Sequence, residues 1–207
     1  MTGLKIASIS EQLDSSPTPR HLVDFISRQL LKAKFVDFTG KSINRSSSGF
    51  VVNAGSIVAW RTGTKTAENG FRIVGAHTDS PCLRIKQNPD DKKFGFNTLS
   101  VEIYGSPLLN SWLDRDLGIA GHVVTRSGET KLFDSLRPVA RISQLAIHLD
   151  REINEKGLVL DKQLHLTPSW STERGAPSFA AWVAKITKTK PIEIVHIEAQ
   201  FYDTAKA

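Results

Sequence analysis

An α/β fold is predicted by three features of this 207-residue sequence. A helical apolar repeat runs over residues 19–33, two short strand-like runs follow at 49–52 and 56–60, and an apolar strand at 71–76 ends in a cluster of polar side chains. Helices laid on a sheet, with ligand-binding groups where a strand ends, are the pattern of open α/β domains.

The helix has a start signal. Thr18 stands at the N-cap position and Pro19 at the first helical position, where the missing N–H costs nothing. Leu22, Phe25, Ile26, Leu30 and Ala33 then recur at helical spacing and predict one apolar stripe packed on a sheet. Next, the turn Asn53-Ala54-Gly55 separates Gly49-Phe50-Val51-Val52 from Ser56-Ile57-Val58-Ala59-Trp60, as in a hairpin. Phe71-Arg72-Ile73-Val74-Gly75-Ala76 is apolar enough to predict a buried central strand, stopped by Pro81. The polar run Gln87-Asn88-Pro89-Asp90-Asp91-Lys92-Lys93 reads as a linker and gives domains of 1–97 and 98–207. Beyond it the expected elements are strands at 98–104, 119–126, 139–143 and 192–197, with a helical or extended piece over 145–155.

Hydrophobic residues at 40% and charged residues at 23% are ordinary for a soluble globular chain. No apolar run is long enough for a bilayer, and the first residues lack the apolar core of a signal peptide. The single cysteine, Cys82, excludes an intramolecular disulfide and reads as a small buried thiol. Together these predict a cytoplasmic protein with no membrane partner. The net charge of +6 is compatible with an acidic substrate. Its densest basic run, Lys185 to Lys190, has no interleaved aromatics and reads as a solvated face, so no nucleic-acid partner is expected.

His77-Thr78-Asp79 at the end of the apolar run is the central chemical signal. An imidazole is a common zinc ligand, and a carboxylate two residues on can fix its tautomer or support a nucleophilic water. The tripeptide alone is weak, because a hydrogen-bonded turn produces the same pattern. Asp114-Arg115-Asp116 reads as a charge-assisted turn network rather than a metal site. Trp60, Trp112, Trp170 and Trp182 read as core or interface anchors. His21, His122, His165 and His196 lie on apparently unrelated elements, and their spacing predicts no further site.

The longer segment from Gly75 to Lys86, GAHTDSPCLRIK, resembles the metal-binding segment of the aspartyl aminopeptidases, dinuclear zinc exopeptidases acting on acidic N-terminal residues. Ser16-Pro17-Thr18-Pro19, the stretch from Ser111 to Gly121, the stretch from Leu145 to Arg151, and Phe201-Tyr202-Asp203-Thr204 resemble that family in the same order. The likeness is weakest over 168–182. It implies His77 as a zinc ligand, Asp79 as the carboxylate serving catalysis by steadying it, and two zinc ions per complete active site. It also implies that residues 1–97 belong to the catalytic α/β sheet domain, and 98–207 to a β-rich inserted domain through which the protein forms homo-oligomers. His148 falls where the family places a histidine reaching a neighbouring subunit's substrate; the other reading is an imidazole packed on a partly apolar element. Gln144 stands where the family often has a second histidine.

The family's other groups are a bridging aspartate in an Arg-Leu-Asp-Asn segment, a glutamate pair including the general base, a further aspartate and a late histidine. Nothing in the sequence matches them. The expected function is therefore the N-terminal portion of a zinc metalloaminopeptidase that is inactive alone. The alternatives are a non-catalytic oligomerisation module derived from such an enzyme and, more weakly, a charge-driven anion binder. Without the missing half, an exposed sheet edge and apolar face are expected.

Overall fold

The computed structural model describes residues 6–43, 48–63 and 70–207. The chain divides into two compact units, Met1–Ser80 with Lys206–Ala207, and Pro81–Ala205.

The first unit holds helices α1 (Ile6–Asp14) and α2 (Pro19–Lys32), and strands β1 (Val36–Asp37), β2 (Ser48–Asn53) and β3 (Ser56–Arg61). The sheet order is β1-β2-β3, parallel then antiparallel. Helix α2 begins as its sequence predicts, with Pro19 at its start and the Thr18 hydroxyl accepting from the His21 amide at 3.4 Å. That hydroxyl also meets His21 Nδ1 at 2.8 Å. Val23, outside the expected stripe, is the helix's buried residue, and Phe38 and Phe50 are also buried in this unit. Gly49 is required by the packing, since a Cβ there would lie 2.6 Å from the Trp60 ring and 2.7 Å from Phe38. Those two rings stack at 5.6 Å. Thr18→Ala should cost about 1 kcal/mol, the usual worth of an N-cap, read as a lower urea midpoint.

Residues 71–76 overturn the expectation of a buried central strand. They carry no ladder, and Val74 is 96% exposed, with Phe71 and Ile73 also largely open. A strand exists only through its partners' hydrogen bonds, and no described strand lies beside this one. The apolar composition therefore records a burial that the described residues do not supply.

The second unit is a six-stranded antiparallel sheet, ordered β7-β6-β9-β4-β5-β8. Its strands are β4 (Cys82–Lys93), β5 (Phe96–Tyr104), β6 (Leu117–Thr125), β7 (Thr130–Asp134), β8 (Ser169–Ser171) and β9 (Ile194–Asp203). The run Gln87–Lys93 lies inside β4, so the linker expected there is a strand, and the units divide at Ser80/Pro81 instead of near 97. Pro89 is buried at the register shift between Ile85 and Asp90, a bulge that tolerates its missing N–H. Asp90 then accepts the Phe179 amide at 2.8 Å and helps seat the start of helix α4 (Phe179–Thr187). Residues 139–143 form isolated bridges in place of a strand. Within 145–155 the regular structure is a turn and the start of the short helix α3 (Ile153–Lys156).

One sheet face carries Leu83, Ile85, Leu99, Leu117, Ile119, Val123 and Phe201, which form the core with Phe179 and Val183 of α4. Trp170, Phe179, Trp182 and Phe133 continue it through ring contacts of 6.0 to 6.4 Å. Trp112 packs against the same core, so the expectation of core-anchoring tryptophans holds in this unit. On the opposite face the Tyr202 ring covers Gly118, where a Cβ would sit 2.6 Å away, and its hydroxyl donates to Asp134. Burial, and then the Asp134 carboxylate, push the Tyr202 phenol well above its ordinary value. Because the folded value is raised, the stabilisation is whole below about pH 10 and is lost as pH climbs toward the folded value. Stability should therefore decline above about pH 10, and Tyr202→Phe should flatten that slope in pH-dependent urea titrations.

Candidate functional site

His77 and Asp79 follow the exposed run 71–76 in the first unit. Thr78 ties them down, its hydroxyl donating to the Gly55 carbonyl at 2.7 Å at the turn between β2 and β3. The His77 Nδ1 and Asp79 Oδ1 atoms lie 3.1 Å apart, with the His77 side chain 91% exposed and that of Asp79 34% exposed. A carboxylate on Nδ1 favours the tautomer that leaves the Nε2 lone pair outward. This is the donor arrangement a divalent metal needs from one histidine. It is one ligand and its brace, short of the three protein ligands of a catalytic zinc site.

His148 lies in the second unit, exposed on the turn at 147–149, where the Leu149 amide donates to the Ala146 carbonyl at 2.8 Å. Leu145, Ile147 and Leu149 around it are exposed apolar side chains. Among the described residues the His148 imidazole is exposed and not packed on an apolar element.

The Asp114–Asp116 turn is a charge network, as its sequence suggests, but the bridging cation is Arg141. Its guanidinium reaches Asp116 at 3.0 Å and Asp114 at 3.5 Å, while Arg115 turns away to Asp203 and the Ser111 carbonyl. Asp114 takes a left-handed φ of 54°, and its amide donates to the Ile142 carbonyl at 2.8 Å. The Thr204 amide and hydroxyl both donate to the Asp116 carbonyl, at 3.1 and 2.9 Å. These bonds staple three chain segments together, a structural role. Cys82 is buried, its thiol donating to Gln200 Oε1 at 3.4 Å.

His21 serves the start of α2, and His165 Nδ1 accepts the Asp161 amide at 3.0 Å. The amides of Leu164 and Gln163 hold the exposed Asp161 carboxyl below its ordinary range. His122 and His196 depart from the sequence expectation. Strands β6 and β9 bring them together with Glu198, one ligand atom from each lying within 4.8 Å of the others. The alternation of His196 and Glu198 along β9 is visible in the sequence. The pairing with β6 is not.

Residues 12–207 match the model of the aminopeptidase I zinc metalloproteases, family M18, and the chain belongs to that family. It is 50% identical over 161 residues to the protein of Streptomyces coelicolor named "Probable M18 family aminopeptidase 2", covering 76% of this chain and 37% of that relative. It is similar to Ape4 as seen in a complex with Nbr1, with a TM-score of 0.85, 28% identity, and coverage of 97% of this chain and 44% of that one. The fold also matches the S. cerevisiae mApe1 dodecamer, with a TM-score of 0.76, 24% identity, and coverage of 97% and 48%. The chain thus spans less than half the length of each of these proteins.

Proposed function

We propose that this chain contributes the first metal ligand and its carboxylate brace to a dinuclear zinc aminopeptidase that removes acidic N-terminal residues from peptides. The observation that carries this reading is the His77–Asp79 pair, 3.1 Å apart with the imidazole open to solvent, in a chain of the M18 family. A zinc ion held there supplies Lewis-acid polarisation of the scissile carbonyl and a lowered pKa for water. This chain's part is orientation. Asp79 fixes the ring through Nδ1, the Thr78–Gly55 bond fixes the loop, and His77 Nε2 is the donor offered to the metal. The net charge of +6 favours acidic peptides over basic ones at the encounter stage.

His148 is the proposed substrate contact, supplied to a neighbouring subunit. The exposed side chains of Leu145, Ile147 and Leu149 support self-association through residues 98–207, because apolar groups clustered on a turn gain from burial in an interface. Their exposure also favours a second reading, a non-catalytic oligomerisation module. The cytoplasm remains the proposed compartment, and among the described residues no helix is long and apolar enough to cross a membrane.

The His77–Asp79 pair offers a single metal ligand, fewer than the three protein ligands of a catalytic zinc site. The test is hydrolysis of acidic and neutral aminoacyl substrates by the chain alone and by a protein that also carries the remaining ligand set. No turnover by the chain alone, and acidic-selective turnover by the complete protein, is the expected result. Robust hydrolysis by the chain alone would overturn its assigned share of the site, and inactivity of the complete protein would leave the oligomerisation module as the better reading.

A further inference from the structure

We propose that His122, His196 and Glu198 form a second divalent-cation site, of zinc type, separate from the His77–Asp79 pair. In the β6–β9 ladder, His122 stands opposite Glu198 and Val124 opposite His196. Side chains alternate faces along a strand, so all three emerge on the same side of the sheet, away from Ile119, Val123 and Phe201 of the core. One ligand atom from each lies within 4.8 Å of the other two.

The geometry is close to what a tetrahedral metal asks. Bonds of roughly 2.0–2.1 Å to nitrogen and oxygen place neighbouring ligand atoms about 3.4 Å apart. The remaining contraction falls to His196 and Glu198, whose exposed side chains are free to rotate about a paired backbone. His122, only 5% exposed, is the fixed member. The His122 and His196 rings are 6.2 Å apart and inclined at 58°, neither stacked nor edge-on. The backbone beneath is tightly held, because Gly121 lets β6 approach β9 more closely than any side chain would permit.

The donor set selects the ion. Two imidazoles and a carboxylate suit zinc and its transition-metal neighbours, whereas calcium and magnesium prefer all-oxygen shells. Three protein ligands leave a fourth position for water or for a group from another molecule.

The test is zinc titration of the full chain by calorimetry, carried out on His77→Ala so that the first pair cannot contribute. One equivalent should bind, with the imidazole resonances of His122 and His196 shifting in NMR spectra while those of His21 and His165 stay still. Adding His196→Ala and Glu198→Gln should weaken binding at least tenfold. Both positions are exposed, so circular dichroism should remain unchanged. Absence of zinc binding in His77→Ala, or unchanged affinity after the two further substitutions, would refute the site. Neither result bears on the role of His77, which is read separately from activity of the complete protein.

Discussion

His77→Ala is expected to lower kcat/KM by about a thousandfold or more in a protein carrying the complete ligand set, because removing a ligand disables the metal itself. Asp79→Asn should behave differently. The amide still reaches Nδ1, but it can present an N–H as easily as an oxygen, so the ring loses its enforced tautomer while its position is kept. Losses of 10–100-fold are usual for such supporting carboxylates. The two substitutions thus separate ligand from brace: His77→Ala should also empty one zinc equivalent, measured by atomic absorption. Asp79→Asn should retain metal at saturating zinc and lose it at lower free zinc. Comparable activity in His77→Ala and the parent protein would remove His77 from the chemistry. Thr78→Val, which deletes the hydroxyl bond to Gly55, offers a finer check on loop positioning and should cost less than either.

Local signals in the sequence survived contact with the structure, and non-local ones did not. Helix α2 is legible because its cap, its proline and its apolar period all lie within one stretch of chain. Strands β5 and β6 are legible for the same reason, each a compact apolar run. Strand β4 is not. Its second half is rich in polar residues that suggest a linker, and only the partners on β5 and the bulge at buried Pro89 make it a strand. The run 71–76 fails in the opposite sense. Its composition suits a buried strand, yet pairing partners decide strand formation, and none is among the described residues.

The candidate sites divide in the same way. His77 and Asp79 are two residues apart, so a tight turn brings them together whatever the rest of the fold does. His122 meets His196 and Glu198 only because β9, the last strand in the chain, inserts between β6 and β4. Sequence order gives no warning of that insertion. Asp114 and Asp116 show an intermediate case: the turn network is visible in the sequence, but its cation is Arg141, contributed by the adjoining bridge segment.

The insertion of β9 also sets a large expected loss of stability, at Gly121. Replacing glycine by alanine inside a strand ordinarily favours folding by roughly 0.5–1 kcal/mol, through the entropy of the unfolded chain. Here the sign reverses. A Cβ on Gly121 would stand 2.1 Å from the Glu198 carbonyl oxygen and 2.8 Å from Ala199 Cα, both backbone atoms that no rotamer can move. Relief requires β6 and β9 to separate where they pair at the centre of the sheet, so Gly121→Ala should cost about 3 kcal/mol, the upper end for overpacking. Phe201→Ala, at a fully buried ring on β9, should cost about 3–5 kcal/mol by leaving a cavity. Each is a large share of the roughly 5–15 kcal/mol that holds an ordinary domain folded. Gly128→Ala is the control: its φ of 83° strains any side chain, but no atom lies within 4 Å, so only the backbone term of about 1 kcal/mol applies. Urea midpoints should rank Gly128→Ala well above Gly121→Ala. Equal midpoints would mean that β6 and β9 can part without loss, which the continuous register from Leu117 to Val124 argues against.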